Sequence, residues 1–114
     1  MASGFLLLVL AILSEIVATT SLKASEGFTR WVPSVVVVVG YGLAFYLLSL
    51  SLKRQVPLGV AYAIWSGLGT AGVVLTGVMI WREAMDLWRV MGIALIIIGV
   101  MVISFHNPEG AVPS

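Results

Sequence analysis

The sequence predicts an all-α integral membrane protein, built as a bundle of four transmembrane helices. Three observations support this class. Hydrophobic residues make up 61% of the 114 residues and charged residues only 10%, well below the roughly 25% charged residues of soluble domains. Four apolar runs are each long enough to cross a bilayer as a helix, which takes roughly 20 residues. The six lysine and arginine residues lie between these runs or at their ends.

Each run is predicted to be helical because a backbone inside lipid must satisfy its own hydrogen bonds, which also excludes a strand at the valine-rich stretch 35–39. We expect a single domain over residues 1–106, with helices at about 4–22, 33–52, 58–81 and 88–105, and a polar tail over 107–114. The first run lacks a basic leader and a cleavage site, so we expect a retained helix rather than a signal peptide.

The connections between the helices are short, so neighbouring helices are predicted to be antiparallel, with both termini on one side of the membrane. One face then carries Lys23, Arg30, Arg82 and Arg89, and the other carries Lys53, Arg54 and the amino terminus. This distribution gives only a weak topological preference under the positive-inside rule, which permits insertion in both orientations. Glu83, Asp86 and Arg89 are interpreted as solvated loop charges, with Asp86 also able to cap the last helix.

Glu15 is the one ionisable side chain deep inside an apolar run. A rise of about 1.5 Å per residue places it near the middle of an apolar layer about 30 Å thick. A charge at that depth costs at least about 2.5–3.5 kcal/mol, so the carboxyl group indicates a functional site rather than a polar contact that only joins helices. At helical spacings its face carries mostly small side chains, which leave room for a helix or a ligand: Ala11, Ile12, Ala18 and Thr19.

Aromatic residues of the third run form a second candidate feature. Tyr62 and Trp65 share one helical face, and aromatic rings at mid-depth can hold a cation over their π-faces. The Tyr62 hydroxyl is also a candidate hydrogen-bond partner of Glu15. Packing of the bundle explains the same aromatic residues equally well. Tyr41 and Phe5 are weaker candidates for the same cavity.

Glycine spacing marks two further segments. Gly67 and Gly69 in the third run indicate either a hinge or a close helix contact. Gly92 and Gly99 lie seven residues apart in the fourth run and form a flat stripe typical of helix association. The stripe is flanked by Leu95, Ile96 and Val100.

Together these segments resemble the small multidrug resistance family, in its quaternary-ammonium subtype, over about residues 5–105. The resemblance rests on Ser14-Glu15, Lys23-x-Ser25-Glu26-Gly27-Phe28-Thr29-Arg30, Pro33-Ser34, Ala61-Tyr62-Ala63-Ile64-Trp65-Ser66-Gly67-x-Gly69 and Gly92-x-x-Leu95-Ile96-x-x-Gly99-Val100. It implies a substrate chamber made by the first three helices and dimerisation through the fourth. It also implies an antiparallel, dual-topology homodimer that exchanges protons for cationic substrate.

The resemblance assigns roles to individual residues. Glu15 matches the site that binds protons and substrate. The substrate-lining positions are matched by Tyr41, Tyr62, Trp65, Ala11, Ile12, Ala18 and Thr19. The kink of the third helix is matched by Gly67 and Gly69, and the dimer stripe by Gly92, Leu95, Ile96, Gly99 and Val100. Two features depart from the family's quaternary-cation exporters: Phe5 replaces a tyrosine, and the connector 53–55 is longer and more basic.

The expected function is proton-coupled antiport of lipophilic aromatic or quaternary-ammonium cations by alternating access. A guanidinium or polyamine exporter of the same family is the alternative. The guanidinium branch typically has tryptophan at the position of Ala18, and serine and methionine where this chain has Ala44 and Tyr41. A membrane subunit that does not transport is a third possibility, against which the buried acid argues.

Composition excludes a soluble enzyme, and the sequence has no cofactor motif. With no cysteine there is no thiolate metal site or disulfide. Protons are the expected coupling ion. The expected partners are membrane lipid, hydrophobic cations and a second, antiparallel copy, and no basic patch indicates nucleic acid. The expected location is the bacterial inner membrane, as a multi-pass protein.

Overall fold

The computed structural model describes residues 2–105, so His106 and the tail predicted for 107–114 lie outside the described residues. The chain forms four α-helices: α1 (Ala2–Ala24), α2 (Trp31–Lys53), α3 (Leu58–Trp81) and α4 (Leu87–Phe105). No strand occurs over residues 2–105, and the predicted four-helix fold is confirmed. Each helix is long and apolar enough to cross a membrane. The bounds of α1, α2 and α4 extend one or two residues beyond those expected from sequence.

The connector between α1 and α2 is a defined turn organised by Ser25, whose side chain is fully buried. The Ser25 hydroxyl donates a hydrogen bond to the carbonyl of Leu22 at 2.8 Å and accepts one from the N–H of Phe28 at 3.1 Å. Glu26, Gly27 and Phe28 all have positive φ angles, of 48°, 73° and 64°, a conformation that is uncommon outside glycine. These contacts return the chain directly, so α1 and α2 pack side by side.

α1 and α2 form the most extensive helix pair in the structure. A Cβ atom added to Gly40 would lie 2.8 Å from the Cβ of Ala18, so only glycine permits this approach. Two hydroxyls also cross the interface: Ser14 donates to the carbonyl of Gly40 at 2.8 Å, and Ser51 donates to the carbonyl of Gly4 at 2.7 Å. Small residues and hydroxyl hydrogen bonds are the usual means by which helices associate in lipid, where burial of apolar surface drives little.

α4 contacts only α3 within the described part of the chain. Ile96 and Val100 pack on Gly67, where a side chain would overlap that of Val100. None of the residues of α4, from Leu87 to Phe105, is buried. The fourth helix therefore leaves most of its apolar surface open to lipid or to another protein chain.

Candidate functional site

The carboxyl group of Glu15 lies between α1 and α3 with one oxygen bonded and the other without a partner. Thr19, one turn further along α1, donates a hydrogen bond to Oε1 at 3.0 Å. Oε2 is buried and has no hydrogen-bond partner within residues 2–105. Gly69 faces this oxygen, because a Cβ atom there would lie 3.3 Å from Oε2. Glycine at this position provides the space that the carboxyl group occupies.

Thr19 and Tyr41 connect the carboxyl group to α2. Their hydroxyl oxygens lie 2.5 Å apart, and either hydroxyl can donate in that bond. A hydroxyl has a single proton, so while Thr19 donates to Glu15, Tyr41 donates to Thr19. The sequence predicted Thr19 as a small, substrate-lining residue beside Glu15, but not as its hydrogen-bond partner. In the structure it is the direct hydrogen-bond partner of the carboxyl group.

A row of aromatic rings begins at Tyr41 and crosses from α2 to α3. The rings of Tyr41 and Phe45 are stacked with centroids 6.5 Å apart, and those of Phe45 and Trp65 with centroids 5.8 Å apart. The sequence predicted Tyr41 and Trp65 but not Phe45. Phe45 lies four residues after Tyr41 on the same face of α2, and this spacing is the sequence signal that indicates its place beside Tyr41. The row brings aromatic surface and the Glu15 carboxyl group together through Thr19.

Tyr62 lies apart from this arrangement. Its side chain is 65% exposed, and it forms no hydrogen bond with Glu15 among the described residues. The bond predicted between these two side chains is thus absent from residues 2–105, where Tyr62 is largely exposed and Oε2 of Glu15 has no partner. A role for Tyr62 in a substrate chamber stays a prediction.

The other predicted lining residues on α1 pack within the chain. Ala11 and Ala18 are fully buried and Ile12 is 3% exposed. Ile12 belongs to the apolar core with Leu8, and Phe5 and Trp65 pack against that core. These residues position the helix that carries Glu15, and their contact with substrate stays a prediction.

The predicted hinge and dimer glycines differ in their surroundings. α3 is one continuous helix through Gly67 and Gly69. Gly67 lies in close contact with α4, and Gly69 lies in close contact with Glu15. A Cβ atom added to Gly92 or Gly99 would meet nothing within 4 Å in the described chain. The stripe on α4 is therefore open, apart from Ile96 and Val100, which face α3. The hinge and the dimer contact stay predictions.

Glu83 lies in the α3–α4 connector and is partly exposed, as expected of a solvated loop charge, but it is also paired. Its carboxylate forms ion pairs with Lys23 at 3.4 Å and with Arg89 at 3.2 Å. The hydrogen bonds from Arg89 and then Lys23 hold the pKa of Glu83 below its ordinary value. Asp86 accepts a hydrogen bond from the N–H of Arg89 at 2.9 Å, which is the helix cap expected for α4.

Comparison with known proteins gives consistent matches. Residues 3–96 match the family model described as Small Multidrug Resistance protein. The chain is 50% identical over 108 residues to quaternary ammonium compound-resistance protein QacE of Escherichia coli, covering 95% of this chain and 97% of that protein. It is 51% identical over 94 residues to a putative ethidium bromide resistance protein of Salmonella typhimurium, covering 82% of this chain and 81% of that protein. It is 46% identical over 104 residues to multidrug resistance protein EbrA of Bacillus licheniformis, covering 91% of this chain and 98% of that protein.

Proposed function

Because the chain belongs to the small multidrug resistance family, as its motifs predicted, we propose that it exports lipophilic cations in exchange for protons. It is a multi-pass protein of the bacterial membrane. The relatives are named for resistance to quaternary ammonium compounds and to ethidium bromide. Both are hydrophobic cations, and this supports export of the same chemical class here. In this proposal the protein is a transporter rather than an enzyme. Protons are its coupling ion, and it needs no cofactor.

The observation that carries the proposal is the unpartnered oxygen of Glu15. A buried carboxylate that lacks a hydrogen-bond partner is costly, so this group binds either a proton or a cation. Oε1 is held by Thr19, while Oε2 is free to take the exchanged species. The aromatic row formed by Tyr41, Phe45 and Trp65 supplies π-faces that favour an organic cation. Binding of a cation and binding of a proton are then alternatives at one atom, so a bound cation releases the proton.

Packing around Ala18 supports the quaternary-ammonium subtype over the guanidinium branch. That branch has tryptophan at this position. Ala18 is fully buried and lies against Gly40, so an indole ring would not fit without separating α1 from α2. The chamber proposed here is aromatic and accommodates bulky, hydrophobic cations.

The active unit in this proposal is an antiparallel homodimer. α4 has no buried residue from Leu87 to Phe105, and the Gly92 and Gly99 stripe is open, which supports a second copy as its partner. Two Glu15 carboxyl groups would then share one chamber, and Tyr62, exposed in one copy, would be available to the other. Interchange of two conformations between the copies would open the chamber to each side in turn. Gly67 and Gly69 are the proposed hinge of that motion.

Proton release tests the proposal directly. Tetraphenylphosphonium is added to detergent-solubilised protein in weak buffer, and the released protons are recorded with a pH indicator. We expect release from the wild type and none from Glu15→Gln. Glu26→Gln is the matched control, because Glu26 is an exposed carboxylate in the α1–α2 connector. Equal release from Glu15→Gln and the wild type would refute Glu15 as the exchange site. Release on adding guanidinium alone would favour the alternative branch.

A further inference from the structure

A polar cavity of about 290 Å³ lies between α1, α3 and the beginning of α4. Its polar lining consists of Thr19, Thr20, Thr76, Lys23, Glu83 and Arg89. Water occupies about 30 Å³ per molecule in the liquid, so the cavity has room for several molecules. It is separate from the aromatic row between α2 and α3.

The inner end of the cavity reaches the exchange site. Thr19 lines the cavity and donates its hydrogen bond to Oε1 of Glu15. Beside it, the Thr20 hydroxyl donates to the Thr76 hydroxyl at 3.0 Å, which donates in turn to the carbonyl of Val73 at 2.9 Å. Thr19 is therefore the hydroxyl that links the cavity to the carboxyl group, while Thr20 and Thr76 add hydroxyl groups to the cavity wall.

The other end of the cavity, its mouth, is lined by ion-paired side chains. The Glu83 carboxylate binds Lys23 from the end of α1 and Arg89 from the first turns of α4. The Lys23 ammonium group also lies 5.0 Å from the centroid of the Trp81 ring, a distance typical of a cation–π contact. Glu83 thus joins three segments that lie around the mouth: α1, the α3–α4 connector and α4.

The position of the Glu83 carboxylate is set by Gly77. A Cβ atom added to Gly77 would lie 2.8 Å from Oε1 of Glu83, and the N–H of Glu83 donates to the carbonyl of Gly77 at 3.1 Å. Arg82 takes a left-handed conformation, with φ of 55°, which turns the chain back over the end of α3. The absence of a side chain at residue 77 therefore leaves the space in which the carboxylate meets both cations.

We propose that this cavity is the water-filled route by which Glu15 exchanges protons with the membrane face that carries the α3–α4 connector, and that Glu83 is the latch that closes its mouth. The inference rests on the proposed function of Glu15. Exposed ion pairs are weak, so the latch opens and closes by thermal motion. Opening requires that Lys23 and Arg89 leave the carboxylate.

Thiol labelling tests the latch, because the chain has no native cysteine. Val73→Cys places a thiol in the cavity wall, and Leu75→Cys, on the same helix, places one at a 50% exposed position outside it. Methyl methanethiosulfonate is the reagent because it is small and uncharged, so a changed charge at the mouth does not alter its local concentration. The labelling rate of each thiol is measured in proteoliposomes, with and without Glu83→Gln.

Glu83→Gln is expected to raise the labelling rate of Val73→Cys by about three- to tenfold, as the loss of two weak ion pairs implies. The rate for Leu75→Cys should not change. Glu26→Gln, which removes an unpaired carboxylate from the same membrane face, should leave both rates unchanged. An unchanged rate for Val73→Cys would overturn the latch, and a thiol that never reacts would overturn the water-filled route.

Gly77→Ala provides a second, charge-neutral test. Its methyl group should displace the Glu83 carboxylate and raise the labelling rate of Val73→Cys as Glu83→Gln does. Gly59→Ala on the same helix is the control, because a Cβ atom there meets nothing within 4 Å. Tetraphenylphosphonium-induced proton release from Glu83→Gln should persist. Absence of that release from the wild type would refute the proposed function, whereas unchanged labelling with intact release would refute the latch alone.

Discussion

α1 and α4 have nearly the same mean hydropathy, 2.2 and 2.3. They differ in how far they pack against the rest of the chain. α1 contacts both α2 and α3 and has Leu8, Ala11 and Ala18 fully buried. α4 contacts only α3 within the described chain and has no buried residue. Hydropathy therefore identifies a helix that enters the membrane but does not predict which helix forms the interior, because lipid solvates apolar side chains as well as protein does.

Small and hydroxyl-bearing side chains distinguish the two helices. α1 uses Ser14, Thr19 and Thr20 for hydrogen bonds that reach α2, Glu15 and α3. α4 has one hydroxyl, Ser104, whose oxygen is buried and forms no hydrogen bond within residues 2–105. Polar groups concentrate on α1, the helix that carries Glu15, while α4 has an open apolar face on which we propose that a second copy packs.

The largest expected effect is on the open face of α4. The double variant Gly92→Val, Gly99→Val should weaken the dimer by about 2–6 kcal/mol if the two overpacking costs add. The protomer itself should fold, because a Cβ atom at either glycine would meet nothing within 4 Å in the described chain. Cross-linking in detergent over a dilution series measures the change. Gly42→Val, at another open glycine on α2, is the control, and an undiminished dimer in the double variant would contradict a contact through the stripe.

The contact between α1 and α2 should respond to a single methyl group. Gly40→Ala is expected to destabilise the protein by about 1–3 kcal/mol, the usual cost of overpacking. The added Cβ atom would lie 2.8 Å from the Cβ and 3.3 Å from the Cα of Ala18, and backbone atoms cannot move aside easily. Thermal unfolding in detergent gives the comparison with Gly42→Ala on the same helix, where a Cβ atom would meet nothing within 4 Å. Equal melting temperatures for the two variants would show that the contact of Gly40 with α1 is not tightly packed.

Replacing Thr19 separates the effect of its hydroxyl group from the effect of side-chain packing in α1. Thr19→Val keeps the shape of the side chain but removes the hydrogen bond to Glu15, so the affinity for tetraphenylphosphonium should fall by about tenfold. Equilibrium binding measures the effect. Thr70→Val, at an exposed position on α3, should bind as the wild type does. Unchanged affinity in Thr19→Val would mean that the hydroxyl does not support the charged carboxylate.

The smallest expected effect is the pH dependence of the Glu83 ion pairs. The pKa of Glu83 is lowered in the folded chain by Arg89 and Lys23. The stabilisation of the fold by these ion pairs is therefore complete above the ordinary glutamate pKa of about 4.3. It is lost as the pH falls through the lowered pKa of Glu83. The difference in melting temperature between wild type and Glu83→Gln should be small near neutral pH and vanish in acid. A difference that persists in acid would assign the stabilisation to something other than the ion pairs.

Much of the site could be predicted from sequence, because one acidic residue in an apolar helix is conspicuous. Glu15, Thr19, Tyr41 and Trp65 were predicted as members of the site, and the structure brings them close to one another directly or through Phe45. Gly69 was predicted only as a hinge or packing glycine, and its contact with Glu15 was not predicted. Helical spacing shows which residues share a face but not which hydroxyl reaches the carboxyl group, so Tyr62 was the predicted hydrogen-bond partner where the structure has Thr19.

The sequence by itself determined the membrane class, the four helices, the family and the buried acid, because each depends on local composition, run length or short motifs. Only the tertiary structure decided which glycines serve close contacts, which oxygen of Glu15 lacks a partner, and that Glu83 binds Lys23, 60 residues away along the chain. These features depend on the relative positions of helices, which are set by the combined packing of small side chains across several interfaces rather than by any one segment.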